Sequence, residues 1–154
     1  MVIRPLDLEE QNQKLLMELF VRNGLEYSVD EPIPTDMIAG WEARDDEGRL
    51  AGGCILAMRQ GEYIIDGIAV EPEYRNSDVG SRLLAEALEL VRARGGATVY
   101  LVARAPGFFM KHGFRKIDRE SAPVFFECFG CDQFNISCFP EVMRLDISKD
   151  NSQR

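Results

Sequence analysis

The segment from Glu71 to Leu84, EPEYRNSDVGSRLL, contains the residue types expected at an anion-binding helix start. Pro72 ends an apolar run, Arg75 supplies positive charge, and small or polar residues continue to Ser81. The first N–H groups of a helix have no intrahelical acceptor, and together with the helix dipole they favour a bound phosphate. An ordinary helix start whose amides bind water would use the same residues, so this segment alone leaves both interpretations open.

A second candidate lies further along the chain, where residues 104–114 read RAPGFFMKHGF. Phe108 and Phe109 fall on a short helical segment that Gly113 ends. Adjacent phenylalanines in such a helix usually pack in a hydrophobic core. The alternative is that they form a wall against a bound ligand.

Three of the four cysteines form a third candidate, in the pattern C-x2-C-x6-C. Cys128, Cys131 and Cys138 are spaced closely enough to supply three thiolates to a zinc ion, with Asp132 or His112 as a fourth ligand. The pattern lacks the second clear pair that structural zinc sites usually have. Buried free thiols, or a thiol pair open to oxidation, are the alternative.

Hydrophobic periodicity around these segments predicts an α/β fold with a mixed sheet. A strand, a long helix and a second strand in succession form a parallel crossover unit, whereas the earlier strands are joined by a DDEG turn and pair antiparallel. The predicted strands are Val2–Arg4, Ala39–Arg44, Leu50–Met58, Tyr63–Val70, Thr98–Val102, Val124–Phe129 and Val142–Ile147. The predicted helices are one capped by Asp7 and ended by Gly24, one from Ser81 to Arg94, and one from Ala105 to His112.

Length and charge limit the classes of function. The 154 residues predict one domain, from residue 1 to 147, with 148–154 as a flexible tail. A net charge of −8 argues against non-specific binding to nucleic acid or an anionic membrane, although one local site can still be positive. The sequence has no apolar run of about 20 residues and no signal pattern at its start, so we expect no membrane span and a cytoplasmic location.

Taken together, the first two segments resemble the GNAT acetyltransferase superfamily. Residues 72–80 read P-x-x-R-x-x-x-x-G, near the superfamily turn R/Q-x-x-G-x-G/A, and residues 105–114 read A-x-x-F-F-x-K-x-G-F, near A-x-x-F-Y-x-K-x-G-F. The resemblance covers essentially the whole chain. It implies the GNAT fold, in which helices flank a mixed, mostly antiparallel sheet and a central parallel pair splays to hold coenzyme A.

The resemblance also implies a site and a reaction. Acetyl-CoA is the implied cosubstrate, with its pantetheine arm along the strand end near Val70, its pyrophosphate on the helix-start amides and the two phenylalanines as a wall. A neutral amine of a small molecule attacks the thioester directly, without a covalent enzyme intermediate. The implied cofactor-binding residues are Ile68, Ala69, Val70, Arg75, Asn76, Ser77, Asp78, Val79, Gly80, Ser81, Phe108, Phe109 and Lys111.

Residues for proton transfer and acceptor binding are less sharply indicated. Asp66, on the strand that leads to the cleft, is the first candidate for the general base, and Glu62 is the second. A structural or solvated carboxylate is the alternative for both. Arg104, at the end of the second parallel strand, is a candidate ligand for a substrate carboxylate, with a plain surface arginine as the alternative.

Two residues depart from the superfamily pattern. Asp78 replaces a glycine in the turn, where its charge opposes a pyrophosphate unless the side chain points outward as a helix cap. Phe109 replaces a tyrosine that would protonate the leaving thiolate, which leaves water for that task. These departures also fit a rival interpretation, a catalytically weak or inactive acyl-CoA-binding protein, with or without a regulatory thiol or metal cluster at the three cysteines.

The run RAPGFF followed by the cysteine-rich tail resembles a narrower group, the single-domain amino-acid N-acetyltransferases of the N-acetylglutamate synthase type. This resemblance implies an amino acid as acceptor. Members of that group carry an acidic residue where Ile64 stands here, so glutamate itself stays open. The superfamily also forms homodimers often, which makes a dimer an expectation for this chain.

Overall fold

One mixed sheet of seven strands organises the protein, in the order β1-β2-β3-β4-β5-β7-β6. The computed structural model describes residues 1–24, 36–75, 77–103, 106–118 and 141–147. The strands are β1 (Val2–Leu6), β2 (Asp36–Arg44), β3 (Leu50–Arg59), β4 (Glu62–Val70), β5 (Thr98–Ala103), β6 (Arg115–Lys116) and β7 (Glu141–Asp146). All neighbouring strands are antiparallel except β4 and β5, which confirms the predicted fold class.

The helices cover both faces of this sheet. They are α1 (Glu10–Arg22), α2 (Val79–Ala93) and α3 (Pro106–Met110), and a 3-10 turn spans Pro72–Tyr74. Leu16 and Leu19 of α1 cluster with Ile55, whereas Leu83 of α2 clusters with Leu56. Because successive residues of a strand point to opposite faces, α1 and α2 lie on opposite sides of β3.

Glycines in β3 let the two helices approach the sheet closely. A β-carbon on Gly53 would lie 2.4 Å from Leu16 Cδ2, and one on Gly52 would lie 3.1 Å from Leu83 Cδ1 and 2.8 Å from the Ala69 carbonyl oxygen. Leucines from both helices therefore fill the space that side chains at these two positions would occupy. This packing fixes the distance of α1 and α2 from β4, the strand on which the predicted site depends.

The central parallel pair opens along its length. β4 and β5 are in register only at Tyr63 with Val99 and at Ile64 with Tyr100. Within the described ranges, β4 continues to Val70 and β5 to Ala103 without a further ladder pair between them. The two strands therefore splay apart after Ile64, as the predicted fold requires.

Several predicted boundaries are wrong. Helix α1 begins at Glu10, and Glu9 rather than Asp7 takes the N-cap position without a side-chain capping bond. The stretch before α1 is not helical, and it places Leu8 against Gly40, where a β-carbon would lie 2.8 Å from Leu8 Cδ2. Tertiary packing has overridden the local capping signal here.

Other differences are smaller. Helix α2 begins at Val79, earlier than the predicted Ser81, and the two-residue strand β6 was not predicted. The predicted strand Val124–Phe129 and the tail 148–154 lie outside the described residues, and the single-domain boundary stays a prediction. In the part of the chain that the structure describes, no helix is long and apolar enough to cross a membrane.

Candidate active site

The end of β4, the start of α2 and helix α3 meet at Gly80. A β-carbon on this residue would lie 3.2 Å from Phe108 Cζ of α3 and 3.5 Å from Val70 Cγ2 at the end of β4. One residue further along α2, Ser81 Oγ lies 3.0 Å from His112 Nε2. The open end of the parallel pair, the start of α2 and helix α3 therefore surround one place.

The start of α2 has the form of an anion site. The backbone N–H of Arg82 donates to the Asp78 carbonyl at 2.9 Å, which places the amides of Val79, Gly80 and Ser81 ahead of the helical ladder. Asp78 holds the N-cap position, is exposed, and makes no capping hydrogen bond with its side chain. Asp78 therefore puts a negative charge at the N-terminus of α2 without capping the first amides.

The edge of β4 offers backbone groups to the opening. The Glu71 N–H donates toward β3, to the Ala51 carbonyl at 2.8 Å. Backbone direction alternates along a strand, so the groups of Ala69 also face β3 while those of Ile68 and Val70 face the opening. Of the three residues predicted to pair with pantetheine, Ile68 and Val70 have backbone groups on the side where β4 and β5 have separated.

Arg75 lies in a polar network rather than over the α2 amides. Its Nε donates to the Val70 carbonyl at 3.0 Å, and its Nη2 donates to Asn23 Oδ1 at 2.6 Å. Asn23 and Arg22, from the end of α1, also donate to Glu71. Burial raises the pKa of Glu71, but these two donors outweigh that effect and leave the pKa below its usual value. The network ties the end of α1 to the turn that leads into α2.

A second contact holds the same turn on its other side. The Tyr74 hydroxyl donates to the Asp45 carboxylate in the β2–β3 turn, and the Ser77 hydroxyl donates to the Tyr74 carbonyl. The Tyr74 bond, with backbone bonds from Arg49 and Glu47, holds the pKa of Asp45 well below its ordinary value. Long-range hydrogen bonds therefore hold the segment before α2 to the end of α1 and to the β2–β3 turn.

The first candidate base, Asp66, lies in a buried ion pair. Its Oδ1 is 2.9 Å from Arg59 Nη2, and both side chains are less than a tenth exposed. Asp66 occupies a β-bulge, because Ile55 pairs with Gly67 and the next residue of β3 pairs with Ile65. It stands just beyond Ile64, where the parallel strands begin to separate.

The second candidate base, Glu62, lies at the closed end of the pair. It begins β4, opposite Arg59 in the register, and precedes the last residues that β4 shares with β5. At a rise of about 3.3 Å per residue, it lies roughly 26 Å from Val70 along the strand. The geometry therefore favours Asp66 over Glu62 for a reaction in the opening.

Helix α3 and the loop after it form an aromatic cluster. Phe108 and Phe109 meet edge to face with ring centroids 5.0 Å apart, and Phe109 packs against Phe114 at 5.9 Å. The Phe108 ring also lies 4.9 Å from the His112 ring. Both phenylalanines are half-buried and Lys111 is exposed, so one face of the cluster stays open to solvent.

Several predicted site residues lie outside the described residues: Asn76, Arg104 and the cysteine cluster Cys128, Cys131 and Cys138. In the described ranges no group of histidine, cysteine and carboxylate side chains has the geometry of a metal site. Cys54 is a free thiol in the core, and burial with the nearby Asp66 charge raises its pKa far above the ordinary thiol value.

Sequence reasoning missed Arg59, Asn23 and the partnership of His112 with Ser81. Asn23 and Arg75 lie far apart in sequence, as do Ser81 and His112, so no local pattern links them. Of these residues, Arg59 is the one that the sequence could have indicated. The β3–β4 hairpin makes it a neighbour of the β4 carboxylates, and a charged residue at the end of an apolar strand signals a buried partner.

Comparison with known proteins gives a consistent result. A family model described as an acetyltransferase (GNAT) domain matches residues 39–116, just over half of the chain. An uncharacterized N-acetyltransferase from Chlorobaculum tepidum is 32% identical over 91 residues, which cover 56% of this chain and 58% of that protein. The matched region thus spans little more than half the length of this relative.

Solved structures agree on the fold. A GNAT-family acetyltransferase from Staphylococcus aureus Mu50 superposes with a TM-score of 0.70 and 16% identity, covering 96% of this chain and 100% of that one. N-acetylglutamate synthase from Neisseria gonorrhoeae, solved with coenzyme A and N-acetylglutamate, gives 0.66 and 19% identity, covering 96% of this chain and 35% of that one. At these identities the likeness concerns the fold alone.

Proposed function

Because this chain belongs to the GNAT acetyltransferase family, we propose that it transfers the acetyl group of acetyl-CoA to the amine of a small molecule. The observation that carries the proposal is the splay of β4 and β5 beside the start of α2. It puts a strand edge that has no ladder partner among the described residues, and a set of helix-start amides, at one opening. An elongated donor with a polar arm and a phosphate end needs both features.

The residues present fit such a donor. The backbone groups of Ile68 and the N–H of Val70 face the opening and can pair with a pantetheine arm, whereas the Val70 carbonyl already accepts from Arg75 Nε. The first N–H groups of α2 can donate hydrogen bonds to its diphosphate, and Phe108 lies beside them. The thioester supplies an activated acyl group, so the protein's task is to position it against the amine and to polarise its carbonyl.

The proton that the amine loses must leave through a nearby base. Asp66 is the carboxylate of β4 on the open side of Ile64, where the strands have separated, and we assign it this role. Arg59 holds its carboxylate in place through the ion pair. Phe109 has no acidic hydrogen to donate, so the departing thiolate takes a proton from water.

For the acceptor we propose an amino acid. The support is the resemblance of RAPGFF and the cysteine-rich tail to amino-acid N-acetyltransferases. An amino acid would present an amine for attack and a carboxylate for recognition. Arg104 remains our candidate for that recognition.

Two measurements test the function. Titration calorimetry with acetyl-CoA and CoA tests donor binding, and absence of heat at millimolar ligand would exclude the proposal. Thiol release from acetyl-CoA is then followed across a panel of amino acids, polyamines and aminoglycosides. Binding without release from any amine would favour the rival interpretation, a non-catalytic acyl-CoA-binding protein. Release with polyamines alone would retain the enzyme and exclude the amino-acid acceptor.

Removing the charge at the N-cap is expected to tighten donor binding. Asp78→Gly should lower the Kd for acetyl-CoA about three- to fivefold, since two unit charges near 4 Å in water interact by about 1 kcal/mol. Asp78 makes no capping bond, so the helix should lose little stability. Asp78→Asn is the matched variant, because it removes the charge and keeps the volume. An unchanged Kd for both variants would show that the carboxylate points away from the phosphates.

A further inference from the structure

We propose that His112 is a positioning residue for the phosphate end of the donor, because it holds the start of α2 against α3 through Ser81. The inference rests on the proposed function and adds to it His112, which stands at an unspecified position of the second motif. Four residues, which we call the α2–α3 clamp, support the inference: Gly80, Ser81, Phe108 and His112.

The first half of the clamp is a hydrogen bond. Ser81 Oγ and His112 Nε2 lie 3.0 Å apart in a partly buried position. The tautomer of the ring decides which of the two donates, but in either case the bond fixes the direction of the hydroxyl. Ser81 lies in the first turn of α2, where its own N–H is one of the amides ahead of the helical ladder. Fixing its side chain therefore restrains part of the anion site.

The second half of the clamp is packing. The His112 ring rests on Phe108 with centroids 4.9 Å apart, and Phe108 in turn meets Gly80. The backbone N–H of His112 donates to the Phe109 carbonyl at 2.9 Å, which ties the ring to the end of α3. Two neighbouring residues of α2, Gly80 and Ser81, thus contact the two rings of one aromatic pair, Phe108 and His112.

Helix α3 is short and partly exposed, so the clamp contributes to its place beside the start of α2. It is five residues long, and none of them is fully buried. Phe108 and Phe109 pack against the core, and the clamp adds the link to the start of α2. The Ser81–His112 bond and the Phe108–Gly80 contact are the described contacts that join it to the helix start. Loss of the hydrogen bond should therefore shift the amides relative to Phe108 before it unfolds anything.

His112→Phe and His112→Gln form the test pair. Phenylalanine keeps the ring on Phe108 and removes the nitrogen, whereas the glutamine amide can still reach Ser81. His112→Phe is expected to raise KM for acetyl-CoA about fivefold, the effect of one hydrogen bond, with kcat unchanged within twofold. His112→Gln should restore most of the loss. Ser81→Ala should cost about the same as His112→Phe, and the double variant no more than either alone.

A phosphate-free donor separates positioning from general stability. With S-acetyl-pantetheine, kcat/KM of His112→Phe should equal that of the parent protein, because no phosphate reaches the clamp. The calorimetric Kd for CoA, measured with the thermal midpoint of the free protein, gives the same comparison if this donor reacts too slowly. Equal losses with both donors, or an unchanged KM for acetyl-CoA, would overturn the inference. If the parent protein itself binds no CoA, the proposed function fails instead.

Discussion

The Asp66→Asn variant is expected to unfold with a free energy about 3 kcal/mol below that of the parent protein. Asp66 and Arg59 form an ion pair at 2.9 Å in which both side chains are less than a tenth exposed. Removing the carboxylate breaks an ion pair at a buried site, and water does not reach the buried guanidinium well enough to offset that loss. Urea unfolding followed by circular dichroism measures the change.

Asp146→Asn is the matched control. Asp146 also pairs with arginine, with Arg144 Nε at 2.8 Å, but its side chain is 46% exposed. Solvent and salt screen such a pair, so its loss should cost less than about 1 kcal/mol. Equal effects of the two substitutions would show that the Asp66 pair is no stronger than a surface pair, against the burial argument.

The same variant tests the base assignment once stability is accounted for. Activity is compared only under conditions where both proteins are fully folded, across a range of pH. If Asp66 accepts the amine proton, the Asn variant should lose most of kcat and the acidic limb of its pH profile. A folded variant with the parental pH profile would show that Asp66 has a structural role, the ion pair with Arg59.

The Gly80→Ala variant is expected to bind acetyl-CoA about tenfold more weakly, while its stability stays near that of the parent. The added β-carbon would lie 3.2 Å from Phe108 Cζ, closer than ordinary packing allows, so Phe108 must move by a few tenths of an ångström. Small displacements of a positioning group reduce binding and rate disproportionately, and overpacking costs about 1 to 3 kcal/mol. Alanine favours the helix by up to about 1 kcal/mol, which offsets part of that cost in the fold.

Gly107→Ala is the control for this substitution. Gly107 also lies at the start of a helix close to the site, but a β-carbon there meets nothing within 4 Å. Its Kd for acetyl-CoA should therefore match the parent value. Calorimetry gives both constants, and a chemical unfolding curve for each variant separates weaker binding from a smaller folded fraction. Equal affinity of the two variants for acetyl-CoA would mean that Phe108 moves away from the added β-carbon without weakening binding.

The local elements were largely predictable because their signals are local. Alternating apolar residues set β3 and β4, the DDEG turn joined β2 to β3 with Gly48 at a φ of 83°, and Gly95 at 81° followed the end of α2. Where a local signal competed with packing it failed, as when Asp7 suggested a cap that the contact of Leu8 with Gly40 did not allow.

The sequence by itself determined which segments make the candidate site, through a turn motif and an aromatic motif whose order implies one fold. Only the tertiary structure decided how their side chains are used. Arg75 bonds to Val70 and Asn23, Asp66 pairs with Arg59, and Ser81 meets His112. The physical reason is range. Helices, strands and turns follow from residues close in sequence, whereas a buried charge or a polar donor takes whichever partner the completed sheet brings within about 3 Å.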